Sequence, residues 1–200
     1  MTDNKCDSPV SVDRTIRNGG TDPDGSKVVF GRWTFKYRPA REFVEDRLAG
    51  RVLNACAGRA TLDHDGEIHR NDLNPELPAD THHDVTEIAD HFPALSFDTV
   101  VFDPPFDDLQ AADKYDGLRA DSVLAAFKQF EQLVRPGGRV ITFGWNSWGM
   151  RSVTCFDREG TVLFQRGAGK TRCYCDQLPN RHQQNQRRKK SLSEPPIVAS

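Results

Sequence analysis

No run of apolar residues in this 200-residue chain is long enough to cross a bilayer. The opening Met1-Thr2-Asp3-Asn4-Lys5 lacks the basic start and apolar centre of a signal peptide. A cytoplasmic protein with no membrane partner is expected. Cysteine is scarce and oddly numbered: Cys6, Cys56, Cys155, Cys173 and Cys175 follow no disulfide-scaffold spacing, which suits a reducing compartment. There is no internal repeat. There is also no marked excess of charge, the formal net being -2, so total charge announces no polyanionic partner. Apolar residues are a modest 36%, but they gather into short runs, as a folded chain with a polar surface requires.

The charge that is present is unevenly placed. Between Asp63 and Asp121 the only Lys or Arg residues are Arg70, Lys114 and Arg119. Lys27, Arg32, Lys36, Arg38 and Arg41 precede this acidic stretch, and Arg166, Lys170, Arg172, Arg181, Arg187, Arg188, Lys189 and Lys190 follow it. Two readings stand: a basic strip for a phosphate backbone if the fold joins the flanks, or an ordinary solvated surface. The length fits one α/β domain. Residues 1–26 read as a flexible leader, 27–180 as the domain and 181–200 as a basic, disordered tail.

Within the domain, Val28-Val29-Phe30 suits a short strand. Trp33, Phe35 and Tyr37 alternate with Thr34, Lys36 and Arg38, the period of a half-buried extended segment. Pro39 opens a helix expected to reach about Ala49, before Gly50. A strand–turn–helix rhythm follows. Val52-Leu53 enters the small-residue turn Ala55-Cys56-Ala57-Gly58, Glu67 to Asn71 forms a second strand, and a weak third ends at Asp84. Phe97 to Phe102 is an apolar run suited to a sheet buried on both faces. Asp121 caps a helix to about Val134, and Pro136-Gly137-Gly138 turns into Val140 to Phe143. Val153 to Phe156 and Thr161 to Phe164, split by Arg158-Glu159-Gly160, read as a hairpin. The expected fold is a Rossmann-like, doubly wound, mostly parallel seven-stranded sheet with an antiparallel C-terminal hairpin strand.

The unusual residues fall where such strands end. Asp103-Pro104-Pro105-Phe106 follows the strand at 97–102 directly. The prolines remove two donors and stiffen the loop. A rigid carboxylate beside a fixed carbonyl offers two acceptors, which suit the two hydrogens of an NH2 group, and the ring of Phe106 suits a flat substrate. Asn54-Ala55-Cys56-Ala57-Gly58 lets backbone approach a ligand closely. Asp72 closes the next strand, where an acid can accept from ribose hydroxyls, and Asp84 closes the third.

This series resembles the class I S-adenosylmethionine-dependent methyltransferases, and within them the amino-methyltransferases of nucleic acids that carry an Asp-Pro-Pro-Phe motif. The resemblance covers roughly residues 50–165. It implies S-adenosyl-L-methionine as cofactor, bound by Asn54, Ala55, Cys56, Ala57, Gly58, Asp72, Leu73, Asp84 and Val85. It implies that Asp103, Pro104, Pro105 and Phe106 form the catalytic loop. The implied reaction is methyl transfer to an exocyclic amino nitrogen of a base in DNA or RNA. Asn54 stands where the family has an acid, and Ala60 where it has a second glycine. The chain has little room for a separate target-recognition region, which favours RNA, a short DNA motif or a protein partner that supplies recognition. Trp33, Phe35 and Tyr37 offer rings for bases, or simply pack on the sheet. A protein amide N-methyltransferase and a non-catalytic nucleic-acid-binding subunit are the alternatives.

Weaker signals are set aside. Gly167 to Thr171 lacks the first glycine of a phosphate loop. Cys155, Cys173, Cys175 and His182 match no standard zinc spacing, so no metal is expected. Trp145 and Asn146 are expected on the substrate side.

Overall fold

The computed structural model describes residues 14–17, 33–105, 120–144, 149–150, 156–166 and 169–177, with main chain only at 14–17, 120–122, 165–166 and 169–177. Among the described residues seven strands form one sheet: β1 (Arg14–Arg17), β2 (Val52–Asn54), β3 (Ile68–Arg70), β4 (Phe97–Phe102), β5 (Val134–Gly144), β6 (Asp157–Arg166) and β7 (Gly169–Gln177). Their order across the sheet is β1-β6-β7-β5-β4-β2-β3. Strands β5, β4, β2 and β3 run parallel. Strand β7 is antiparallel to both β5 and β6, and β1 runs parallel to β6. The chain leaves β2 for β3 on one side and returns to β4 on the other. That reversal opens a crevice at the carboxyl ends of β2 and β4, the place where open α/β sheets bind ligands.

Both faces of β4 and of the adjoining parts of β2 and β5 are covered, which explains their apolar runs, whereas β3 at the edge is half-buried and carries His69 and Arg70. On one face Leu53, Val100, Phe102 and Val140 meet Phe127, Phe130 and Leu133 of helix α2 (Ala120–Leu133). On the other, Val52, Val101 and Ile141 meet Ala40, Phe43 and Val44 of helix α1 (Arg38–Glu45). Helix α1 starts with Pro39 in its first turn, where a missing N–H costs nothing. It stops at Asp46, short of Ala49. Gly50 then adopts φ 57°, and a β-carbon there would collide with the Asp98 carboxyl group. That carboxylate accepts the Arg51 N–H at 2.7 Å and pairs with Arg135 at 3.0 Å.

Several expectations are corrected. Four residues of the expected leader form β1; Val28-Val29-Phe30 and the tail lie outside the described residues. Trp33 to Tyr37 is not extended: Thr34–Lys36 is one 3-10 turn, closed by the Tyr37 N–H on the Thr34 carbonyl at 3.0 Å. The turn brings Phe35 and Tyr37 inward together, edge-on to Phe143 and Phe164. The strand–turn–helix rhythm fails between β2 and β3, where residues 55–67 contain no helix. The weak third strand is a single bridge, Asn71 to Thr81, followed by a 3-10 turn at Ile88–His91. Pro136-Gly137-Gly138 falls inside β5, where pairing slips between Phe97 and Thr99. Arg158-Glu159-Gly160 is a register irregularity within β6, not a turn, and the β6–β7 connection falls at residues 167–168. Gly169, Lys170 and Thr171 are thereby strand residues.

Candidate functional site

Strand β2 ends at Asn54, whose side chain is 1% exposed and whose Oδ1 has no hydrogen-bond partner. Strand alternation puts Asn54 on the face of Val52 and Val101, and Asp103, two residues beyond Val101 on the adjacent strand, shares it. The turn that follows is held to both neighbouring strands. Ala55 N–H donates to the Val101 carbonyl at 2.9 Å, and Ala57 N–H to the Asn71 carbonyl at 2.9 Å. Gly58 has φ 57°, and a β-carbon there would stand 2.8 Å from the Trp33 ring. Glycine is therefore required twice over, by its backbone angle and by the indole against it. Arg59 is exposed, while Arg70 reaches up from β3 to donate to the Gly58 carbonyl at 3.0 Å. With no helix after the turn, this guanidinium satisfies a carbonyl that a helix would otherwise have bonded.

Asp72 is fully buried. Its Oδ2 accepts the Gly58 N–H at 2.8 Å and its Oδ1 the Asn74 N–H at 3.0 Å, so the carboxylate braces the turn from beneath. Leu73, next in the chain, is half-buried. Asp84 is half-buried as well, and its Oδ1 accepts both the N–H and the hydroxyl of Thr86 at 2.8 Å, capping the bend that buries Val85. Asp103 is half-buried, Pro104 buried and Pro105 half-buried. Phe106, Trp145 and Asn146 lie outside the described residues. The three carboxylates converge on the turn after β2. The buried Cys56 thiol is pushed well above its ordinary value by burial first, then by the charges of Asp72, Asp103 and Asp84. The arrangement is rich in buried acceptors and negative charge, and suits a cationic, hydrogen-donating ligand.

Three features were not legible as site elements. Trp33 seals Gly58. Asn71, fully buried, fills its amide with partners on two segments, Ala55 and Thr81–His83. His83 stacks on His91 with rings 3.6 Å apart and 3° from parallel. The acid two places beyond the strand was visible in Asn71-Asp72, but nothing local marks its asparagine neighbour as a hub. Among the described residues no group of three His, Cys, Asp or Glu side chains is placed to hold a metal ion. Cys155 and His182 lie outside them, and Cys173 and Cys175 are described by main chain only.

The sequence matches no protein-family model, and no curated protein is significantly similar to it in sequence. In structure the chain is similar to TrmN from Thermus thermophilus, with 17% identity over 74% of this chain and 50% of that one, at a TM-score of 0.53. It is similar to the 1,6-didemethyltoxoflavin-N1-methyltransferase of Burkholderia thailandensis, solved with S-adenosylhomocysteine, with 15% identity over 72% and 78% of the two chains and a TM-score of 0.51. It is also similar to the [4+2]-cyclase SpnF, with 12% identity over 82% and 88% of the two chains and a TM-score of 0.54. The chain spans half the length of TrmN. At these identities the likeness is one of fold: a Rossmann-like mixed α/β sheet of the class I methyltransferase type. A cyclase shares that fold, so chemistry must be argued from the site. No helix among the described residues is long and apolar enough to cross a membrane.

Proposed function

We propose that this protein is an S-adenosylmethionine-dependent methyltransferase acting on an exocyclic amino nitrogen of a nucleic-acid base. The observation that carries this reading is the convergence, at the switch point of a methyltransferase-type sheet, of Asn54, Asp72, Asp84 and Asp103-Pro104-Pro105 around the turn after β2. The cofactor fits the residues present. It carries a sulfonium and an ammonium, and the site offers a negative environment and the unpartnered, buried Oδ1 of Asn54 as an acceptor. Bound there, the cofactor supplies an electrophilic methyl group.

The residues of the chain do the rest. Asn54 Oδ1 accepts from the ammonium. Ala55 to Gly58 present small side chains so that backbone and ligand approach closely. Asp72 is fully buried and contributes by bracing Gly58 and Asn74 through their N–H groups. Asp84 and the adjoining Leu73 and Val85 line the adenine end. Asp103 would accept from the amine and, with the loop carbonyl that Pro104 and Pro105 stiffen, hold the lone pair on nitrogen for attack on the methyl carbon, the thioether of S-adenosylhomocysteine leaving and the surplus amine proton passing to solvent. Catalysis of this kind is mainly positioning. Phe106, next in sequence, supplies the ring for stacking on the base. The basic flanks favour a polyanionic substrate over a protein amide. The described part holds no separate recognition module, which favours RNA, a short DNA motif or a partner that supplies recognition; a base within a duplex must first flip out. We place the protein in the cytoplasm.

The test is transfer of labelled methyl from S-adenosylmethionine to separate pools of DNA, RNA and protein, with Asp103→Ala as the control. Label in a nucleic-acid pool, lost in the control, supports the reading; label in the protein pool alone assigns the amide alternative.

A further inference from the structure

We infer that Asn71 is the positioning residue that sets the distance between the turn after β2 and the Asp84 wall, doing with one side chain what a third parallel strand would otherwise do. The inference rests on the cofactor reading above. Among the described residues the sheet ends at β3, and beyond it only the Asn71–Thr81 bridge continues the pairing. Residues 82–87 therefore lack the ladder that would fix them against the turn. Asn71 supplies the missing connections. Its Nδ2 donates to the Ala55 carbonyl at 3.1 Å and to the His83 carbonyl at 2.9 Å. Its Oδ1 accepts the His83 N–H at 2.9 Å and the Thr81 hydroxyl at 2.9 Å. Both hydrogens and both lone pairs of the amide are thus used. Its main chain adds two bonds, N–H to the Asn54 carbonyl at 2.9 Å and carbonyl to the Ala57 N–H at 2.9 Å.

Six bonds from one fully buried residue join three segments: Asn54–Ala57, Asn71 itself at the end of β3, and Thr81–His83, which leads into Asp84. No other side chain reproduces them. Aspartate has the shape but no hydrogens for the two carbonyls. Leucine has neither donors nor acceptors. Glutamine carries the amide one methylene too far. The chemical demand is for a planar group that donates twice on one edge and accepts twice on the other. The effect on ligand binding is indirect, through the placing of Asn54 and Asp84, so Asn71 is a positioning residue and need touch no ligand.

The experiment is calorimetric binding of S-adenosylhomocysteine to the full chain and to three variants, with thermal unfolding of each. Asn71→Asp removes both donors and is expected to weaken binding by roughly tenfold or more, the cost of leaving buried carbonyls unpaired. Thr81→Val removes the hydroxyl that bonds both Asn71 Oδ1 and His69 Nε2 and is expected to weaken binding about fivefold or more; it serves alone if Asn71→Asp does not fold, with His69→Gln as the control for the bond to His69. Val44→Ala, a core truncation in α1 at a residue that makes no hydrogen bond to Asn71 or to its partners, lowers the melting temperature while keeping affinity within about twofold. Amide exchange at Ala57 and His83 is expected to quicken in the Asn71 and Thr81 variants and not in Val44→Ala. Unchanged affinity in the Asn71 and Thr81 variants, or a loss no greater than that of Val44→Ala, would overturn the inference. A native chain that binds no S-adenosylhomocysteine would instead overturn the functional reading, and this inference with it.

Discussion

Asp103 and Asp72 are both acids at strand ends, and the proposed function gives them opposite tasks. Asp103 is half-buried at the carboxyl end of β4, whereas Asp72 is sealed under the turn. Replacing them should separate the two tasks. On that proposal Asp103→Ala is expected to abolish methyl transfer while cofactor affinity stays within about twofold, the acid serving the substrate amine and not the cofactor. Asp72→Asn keeps the shape but turns an acceptor into a donor that faces a backbone N–H. A stability loss of about 1–3 kcal/mol is expected from that unpaired group, read by denaturant unfolding, along with weaker cofactor binding. Gly58 gives a third residue-scale prediction. Gly58→Ala adds about 1–2 kcal/mol of left-handed strain and a clash with Trp33. The double variant with Trp33→Ala should recover the clash component but not the strain, so the two changes will not add in unfolding measurements.

At the scale of elements, the segment from Thr81 to Phe92 is the least regular part of the site, and it carries the stacked rings of His83 and His91. Burial holds His83 below the ordinary imidazole value, and the charges of His91, His69 and His82 act in the same direction. His69 is lowered as well, first by burial. A folded value below the unfolded one means that the unfolded chain binds more protons as pH falls. Stability is then complete above about pH 6.5 and declines as pH drops below it. The urea midpoint should fall between pH 7.5 and 5.5, and fall less in His83→Gln. That variant keeps the backbone groups bonded to Asn71, so the difference isolates the ring.

The same scale shows what could be read in advance. Strand β4 and helix α2 were legible because one was a continuous apolar run and the other kept helical spacing over fourteen residues. The Trp33 to Tyr37 segment alternated like a strand, but a 3-10 turn before Pro39 buried both rings, so local period lost to tertiary packing. The β6–β7 hairpin was displaced because Arg158-Glu159-Gly160 looks like a turn while serving as an irregularity inside a long strand. The positions of Asp72 and Asp103 just beyond strands were legible because strand ends are marked by a change from apolar to polar, whereas Asp84 follows a single bridge and no strand. The hydrogen bond that ties Asp72 to Gly58, and the side-chain role of Asn71, depend on partners 10 to 16 residues away and leave no local trace.

At the scale of the molecule, the fold places the switch point, and the residues there decide what is done with it. A sheet of this kind serves methyltransferases and a cyclase among its structural relatives. The case for methyl transfer to an amine therefore rests on Asp103-Pro104-Pro105 standing beside Asn54 on the adjacent strand. The most direct measurement is incorporation of labelled methyl from S-adenosylmethionine into DNA, RNA and protein by the native chain and by Asp103→Ala. Label in a nucleic-acid pool, recovered on an exocyclic amino nitrogen and absent with Asp103→Ala, is the expected result. Transfer that persists at full rate in Asp103→Ala, or label recovered only on carbon or oxygen, would contradict the account.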